Sequence, residues 1–288
     1  MERRSFLAGG VYGLLAPATL MASGCDAPGA RAAGPDPASA GAAHEPPLIA
    51  GQGYRLVFSD EFDGELDVGE AGRRWCPHIW WQRPMEQRQY GVRNSSLYLR
   101  CFRDNGWADC NLSTEWADTR GGTFFRGGYF EARINCAKAW NAFWLFSVNH
   151  SRGVPKTAPD RWCSELDILE TDSAQPQRLV GTLHRNTGGE RNGGPPDRQN
   201  RNNNHDMPSE LPGQWHTYAA LWTRDEITWL FDQQEVARCP TYESTWQQMF
   251  LILGLGKGGV NGGPPPPAGV DFVEMLVDWV RVWQKPAE

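Results

Sequence analysis

Glu165-Leu166-Asp167-Ile168-Leu169-Glu170 sets three carboxylates into six residues of an otherwise apolar run. In a regular β-strand the side chains alternate, so Glu165 and Asp167 share one face and Glu170 falls on the other. A single β-bulge at Ile168 or Leu169 supplies the extra residue that returns Glu170 to the face of Glu165. Like charges side by side in a strand repel, which makes a functional reading of the triplet preferable to a merely solvated acidic strand. A calcium site is a poorer reading, because calcium loops draw Gly, Asn and Asp from turns, not Leu and Ile from a strand.

The chemistry that fits such a triplet is glycoside hydrolysis with retention. It needs two carboxyl groups about 5 Å apart, one attacking the anomeric carbon while the other protonates the leaving oxygen. Along an extended face the two glutamate Cα atoms stand about 13 Å apart, so their side chains must lean inward over Asp167. Asp167 then hydrogen-bonds the nucleophile and helps separate the two pKa values, keeping Glu165 ionised and Glu170 protonated.

Outward from this strand, apolar runs recur between turn residues at 54–59, 96–102, 128–134, 142–148, 179–184, 215–222, 226–231, 250–255 and 273–283. Many alternate with period two, and none of the intervals carries a long amphipathic helix. With 32 Gly, 21 Pro and 14 Trp, this predicts an all-β domain, a β-sandwich or jelly roll. By composition 186–213 and 256–269 are loops.

The motif Glu-x-Asp-x-x-Glu resembles the bulged active-site strand of glycoside hydrolase family 16, and the resemblance extends over 55–284. Leu56-Val57-Phe58-Ser59-Asp60-Glu61-Phe62-Asp63 is similar to that family's opening strand. Gly128-Tyr129-Phe130-Glu131-Ala132-Arg133 and Ala142-Phe143-Trp144-Leu145 resemble the strands before the active site. Trp215-His216-Thr217-Tyr218 and Val277-Asp278-Trp279-Val280-Arg281-Val282-Trp283 resemble its later core strands. The resemblance implies a β-jelly-roll sandwich of two antiparallel sheets with a glycan-binding cleft on its concave face, and by position Glu165 as nucleophile, Asp167 as assistant and Glu170 as acid/base. Laminarinases of this family carry Trp-Pro-Ala-x-Trp where this chain has Trp140-Asn141-Ala142-Phe143-Trp144, a variant closer to agarase-like members. His184 resembles the histidine that laminarinases place on a strand beside the catalytic one.

Sugar rings stack their C–H faces on indoles, so Trp80, Trp81, Trp140, Trp144 and Trp162 are candidates for the cleft walls, against the alternative of core or rim tryptophans. Arg161 beside Trp162 is a candidate contact for hydroxyls or a sulfate, and equally a solvated loop arginine. The chemistry calls for no cofactor. The family resemblance adds a structural calcium near the paired first and last strands, for which Glu61 and Asp278 are candidates, each equally readable as a surface carboxylate.

The leading expectation is a hydrolase cutting internal β-1,3- or mixed β-1,3-1,4-glucan bonds. A red-algal galactan (agar, porphyran or carrageenan) is the rival substrate, and a lectin-like sandwich without catalysis is the rival class. A net charge of −6 argues against a nucleic-acid-binding role, which shows as a basic face or stripe. Arg3-Arg4-Ser5-Phe6-Leu7 matches a twin-arginine export signal, and Ala22-Ser23-Gly24-Cys25 resembles a bacterial lipobox. The chain thus divides into a signal over 1–25, a disordered Ala/Gly/Pro linker over 26–50 and a catalytic domain over 51–288. The expected product is an exported monomer, held in the periplasm or at the cell surface by lipid on Cys25; otherwise it is secreted after ordinary signal cleavage. The six remaining cysteines permit up to three disulfides in an oxidising compartment, Cys101–Cys110 being the simplest pair.

Overall fold

The alternation seen in the sequence becomes alternating burial. In the computed structural model Leu97, Leu99 and Cys101 are buried while Tyr98, Arg100 and Phe102 between them are not. The structure describes residues 44–69, 71–117, 121–148, 162–187, 198–259 and 263–286. In chain order the strands are β1 (Arg55–Asp60), β2 (Tyr90–Val92), β3 (Leu97–Phe102), β4 (Cys110–Ser113), β5 (Glu115–Trp116), β6 (Gly121–Gly122), β7 (Gly128–Asn135) and β8 (Trp140–Ser147). They continue with β9 (Trp162–Asp172), β10 (Gln175–Thr187), β11 (Arg198–Asp206), β12 (Trp215–Trp222), β13 (Glu226–Phe231), β14 (Gln234–Pro240), β15 (Met249–Gly256) and β16 (Phe272–Gln284).

Two antiparallel sheets pack face to face. One runs β14-β13-β12-β7-β16-β3-β2 with β1 added on β16, and the other runs β11-β10-β9-β8-β15-β4. Leu99, Phe130, Ala132, Val280 and Val282 from the first meet Leu166, Ile168, Leu169, Leu251 and Leu253 from the second in the main core. At about 25 cal/mol per Å² of apolar surface removed from water, this seam is the chief stabiliser of the sandwich. This is the jelly-roll architecture that the strand pattern implied.

Bulges set where side chains point. In β16 the buried series Met275, Val277 slips to Val280, Val282, with the register shift between Val277 and Trp279. Asp278 is the extra residue, and Arg133 answers its charge at 2.7 Å.

Two expectations change here. Residues 198–206, placed in a loop because of their polarity, form edge strand β11. Ile49, assigned to the linker, is fully buried against Tyr129 and Trp283 on the outer face of the larger sheet, so packing begins before 51. Cys76, Cys101, Cys110, Cys136, Cys163 and Cys239 are buried free thiols. The Cys101 and Cys110 sulfurs lie 3.5 Å apart where β3 faces β4. The signal, Cys25 and the linker as far as residue 43 lie outside the described residues.

Candidate active site

Strand β9 is the third strand from the β11 edge of the smaller sheet. From β8 the partners are Phe143 to Leu169 and Trp144 to Asp167, leaving Ile168 as the extra residue. From β10 they are Val180 to Glu170, Thr182 to Asp167 and His184 to Glu165. The bulge therefore falls at Ile168, the first of the two expected positions. Leu166, Ile168 and Leu169 turn into the core, while Glu165, Asp167 and Glu170 all line the cleft.

One neighbour holds this distortion and a second fixes the start of β8 beside it. The Trp229 indole on β13 donates to the Asp167 carbonyl at 2.9 Å from the opposite sheet. Asn141, fully buried, accepts from the Ala137 amide and donates through Nδ2 to the carbonyls of Ala137 and Ala139. The departure from Trp-Pro-Ala-x-Trp thus has a local use: an asparagine here ties down the start of β8, and with it Trp140.

The three acids differ in surroundings. Asp167 is 2% exposed, Glu170 is 9% exposed, and Glu165 is half-buried. Burial pushes the Asp167 carboxyl well above its ordinary value, and the neighbouring Glu170 charge adds to the effect. Burial also raises Glu170, opposed by a 2.9 Å hydrogen bond from the Trp140 indole and by the charge on His184. A carboxyl kept protonated beside a more exposed carboxylate is the acid and nucleophile division that double displacement requires.

His184 completes the arrangement. Its Nε2 lies 2.9 Å from Asp167 Oδ2, and its Nδ1 lies 2.9 Å from Asn200 Oδ1. An amide oxygen only accepts, so Nδ1 carries a hydrogen. The Asp167–His184 contact then holds one shared proton, whichever partner carries it. One oxygen each of Glu165 and Asp167 and a ring nitrogen of His184 lie within 4.8 Å of one another, with Asp167 and His184 already joined by their hydrogen bond.

Around the acids the cleft has two adjoining lobes. The lobe over β10 and β11 is polar, with Thr182, His184, Asn200, Asn202 and Asn204. The lobe over β8, β15 and β4 is aromatic, with Trp81, Trp140, Trp144 and Phe146, and has Gln82, Asp109 and Asn111 at its far side. Trp81 is 54% exposed, and its indole meets Trp80 edge-on at 4.0 Å.

Trp140, Trp144 and His184 line the same cleft as the acids. Arg161 and the side chain of Trp162 lie outside the described residues; the Trp162 backbone opens β9. Glu61 and Asp278 do not fit a calcium ion, because each is matched by an arginine. Arg281 grips Glu61 through two hydrogen bonds of 2.9 and 2.7 Å, and Arg133 holds Asp278. The sequence reading missed the asparagine face of β11, the Asp109–Asn111 pair and Trp229. Alternate asparagines at 200, 202 and 204 were the available signal for the first.

The model of the family described as glycosyl hydrolases family 16 matches residues 116–279. An endo-1,3-1,4-beta-glycanase, EglC, of Rhizobium meliloti (strain 1021) is 30% identical over 263 residues, covering 81% of this chain and 52% of the relative. A glucan endo-1,3-beta-glucosidase of Cryptopygus antarcticus is 29% identical, covering 79% of this chain and 91% of the relative. This chain spans about half the length of the Rhizobium enzyme. Among solved structures, an endo-beta-1,3-glucanase of Pyrococcus furiosus superposes with a TM-score of 0.61 at 22% identity, over 82% of this chain and 96% of the other. That likeness is one of fold. From the family match and the extent of the likeness to EglC, the chain belongs to the glycosyl hydrolases family 16.

Proposed function

We propose that this chain is a retaining endo-β-glycanase that hydrolyses β-1,3- or mixed β-1,3-1,4-glucan, with Glu165 as nucleophile and Glu170 as acid/base. The observation that carries the reading is the Ile168 bulge, which brings Glu165, Asp167 and Glu170 together on the floor of one cleft. Glu165 attacks the anomeric carbon while Glu170 gives its proton to the departing oxygen. Water then enters against the glycosyl-enzyme, with Glu170 now taking the proton. Asp167, sharing a proton with His184, steadies the charge on the strand as it moves between the two glutamates. Lobes on both sides of β9 give the polysaccharide room to extend in each direction, which favours cleavage of internal bonds. The printed names of EglC and of the Cryptopygus enzyme support a β-glucan as substrate.

The test is reducing-sugar release from laminarin, lichenan, agarose, porphyran and carrageenan. Laminarin or lichenan is expected to be cut fastest; faster release from a galactan would overturn the substrate reading.

The same reading includes export through the twin-arginine segment and tethering by lipid on Cys25, with the chain up to residue 43 as spacer. Cys25→Ala should move the protein out of the membrane fraction. In the oxidising compartment so reached, Cys101 and Cys110 are the pair placed to form a disulfide, and mass spectrometry of the unreduced protein should find the linked peptides.

A further inference from the structure

Strand β4 lies three places from β9 in the smaller sheet, about 14 Å at 4.8 Å per strand. That is farther than one sugar ring reaches from the catalytic carboxylates. Between them, β15 presents Gly254 and Gly256 to the cleft. A Cβ at Gly254 would stand 2.9 Å from Asn111 Oδ1, and one at Gly256 would stand 2.6 Å from Asp109 Oδ1 and 2.9 Å from the Trp140 ring. The two glycines thus clear the space in which Trp140, Asn111 and Asp109 lie over the sheet.

Two buried polar atoms on this side have no hydrogen-bond partner among the described residues, the acceptor Asn111 Oδ1 and the donor Trp144 Nε1. Asn111 is 2% exposed, with Nδ2 already given to Gln82 at 2.8 Å. Native interiors rarely leave such atoms unmatched, because the loss of water is uncompensated. An unmatched acceptor and donor on one wall are complementary to a hydroxyl-bearing ligand, since each hydroxyl both donates and accepts.

We propose that this half of the cleft is a subsite for an uncharged sugar ring with free hydroxyls, and that it rejects rings bearing sulfate or carboxylate. Asn111 Oδ1 and the Asp109 carboxylate accept hydroxyl hydrogens, and Trp144 Nε1 donates to a hydroxyl oxygen. Among the described residues no lysine or arginine lines this lobe, whereas Asp109, Glu165, Asp167 and Glu170 do. Lys257 lies close enough for its charge to act on Asp109 but is not part of the lining. A sulfate here would meet acceptors and like charge, with no cation among the described lining residues to offset its lost hydration. This rests on the glycan-cleaving role above and narrows its substrate to neutral chains.

The test uses calorimetry on the full chain carrying Glu165→Gln, with a β-glucan hexasaccharide, the same hexasaccharide randomly sulfated, and a neutral agarose hexasaccharide. At least one neutral chain should bind ten times more tightly than the sulfated one. Asn111→Ala should weaken the neutral chain about tenfold, the loss of one well-placed hydrogen bond. Asp109→Asn, at the exposed rim and of unchanged shape, should narrow the neutral-to-sulfated ratio at least threefold, and it carries the test if Asn111→Ala does not fold. Equal or tighter binding of the sulfated chain, or an unchanged ratio in Asp109→Asn, would overturn the proposal. Absence of glucan hydrolysis by the unmodified enzyme would defeat the earlier substrate reading instead; neutral-over-sulfated binding would still uphold the subsite.

Discussion

The Trp229 indole on β13 donates to the main-chain carbonyl of Asp167 on β9, so the bulge that aligns the catalytic acids is anchored in the opposite sheet. Gly181 makes this reach available, since a Cβ there would stand 2.6 Å from Trp229 Nε1. Trp229→Phe keeps most of the packing and removes only the donor. It should cost about 1–3 kcal/mol in denaturant unfolding, the usual range for a buried acceptor left unpaired. It should also lower kcat for laminarin several-fold with far-UV circular dichroism unchanged. Full activity would mean that the bulge holds without the indole.

Gly181→Ala tests the same contact from the other side. The added methyl has to displace the indole, and overpacking of this kind costs about 1–3 kcal/mol. A melting temperature equal to that of the parent chain would show that the indole can move aside freely.

The assignment of the two glutamates predicts distinct chemical rescue. Glu170→Ala should lose about 10²–10⁴-fold in kcat on polysaccharide and much less on an activated aryl glycoside, whose leaving group needs little protonation. Azide should restore turnover of this variant to a β-glycosyl azide by attacking the intermediate that Glu165 still forms. In Glu165→Ala azide replaces the nucleophile itself, so an activated donor should give the α-azide. Proton NMR of the first product from the parent enzyme should show the β-anomer; initial α-anomer would withdraw the whole assignment.

The Trp140 hydrogen bond gives a pH prediction with a definite sign. The indole favours the ionised form of Glu170 and so holds its pKa down against burial. Trp140→Phe removes that support, the Glu170 pKa rises, and the acid stays protonated to higher pH. The basic limb of kcat/KM should therefore move upward. A downward move would place the titrating acid elsewhere.

Glu131 on β7 lies outside the cleft, and burial pushes its carboxyl up to about 7, against a hydrogen bond from Tyr129 and the charge of Arg281. The unfolded chain releases this proton near pH 4.3, while the native chain keeps it to about pH 7. Its contribution to stability is complete below the unfolded pKa and is lost as pH rises through the folded one. Glu131→Gln should flatten that fall by up to about 3 kcal/mol between pH 4 and 8, read from urea unfolding across the range. An equally steep fall in the variant would assign the pH dependence to other groups.

Local chemistry made the sandwich and its catalytic strand legible in the sequence. Period-two alternation follows from the geometry of an extended chain, and three acids in a six-residue apolar run require a bulge if they are to act together. Strand β11 was hidden for a physical reason. It is an edge strand whose asparagines at 200, 202 and 204 face the open cleft, so it has no apolar periodicity to betray it. The pairings that tune the site were equally out of reach. Trp229 meets Asp167 across 62 residues of chain, and Asn111 meets Gln82 across 29. Such contacts leave no local pattern, because they arise only when two sheets stack or neighbouring strands and loops meet over one cleft. The sequence by itself determined which carboxylates could react; the stacking of the sheets decided which of them is buried, which partner shares its proton, and what kind of sugar the rest of the cleft is shaped to hold.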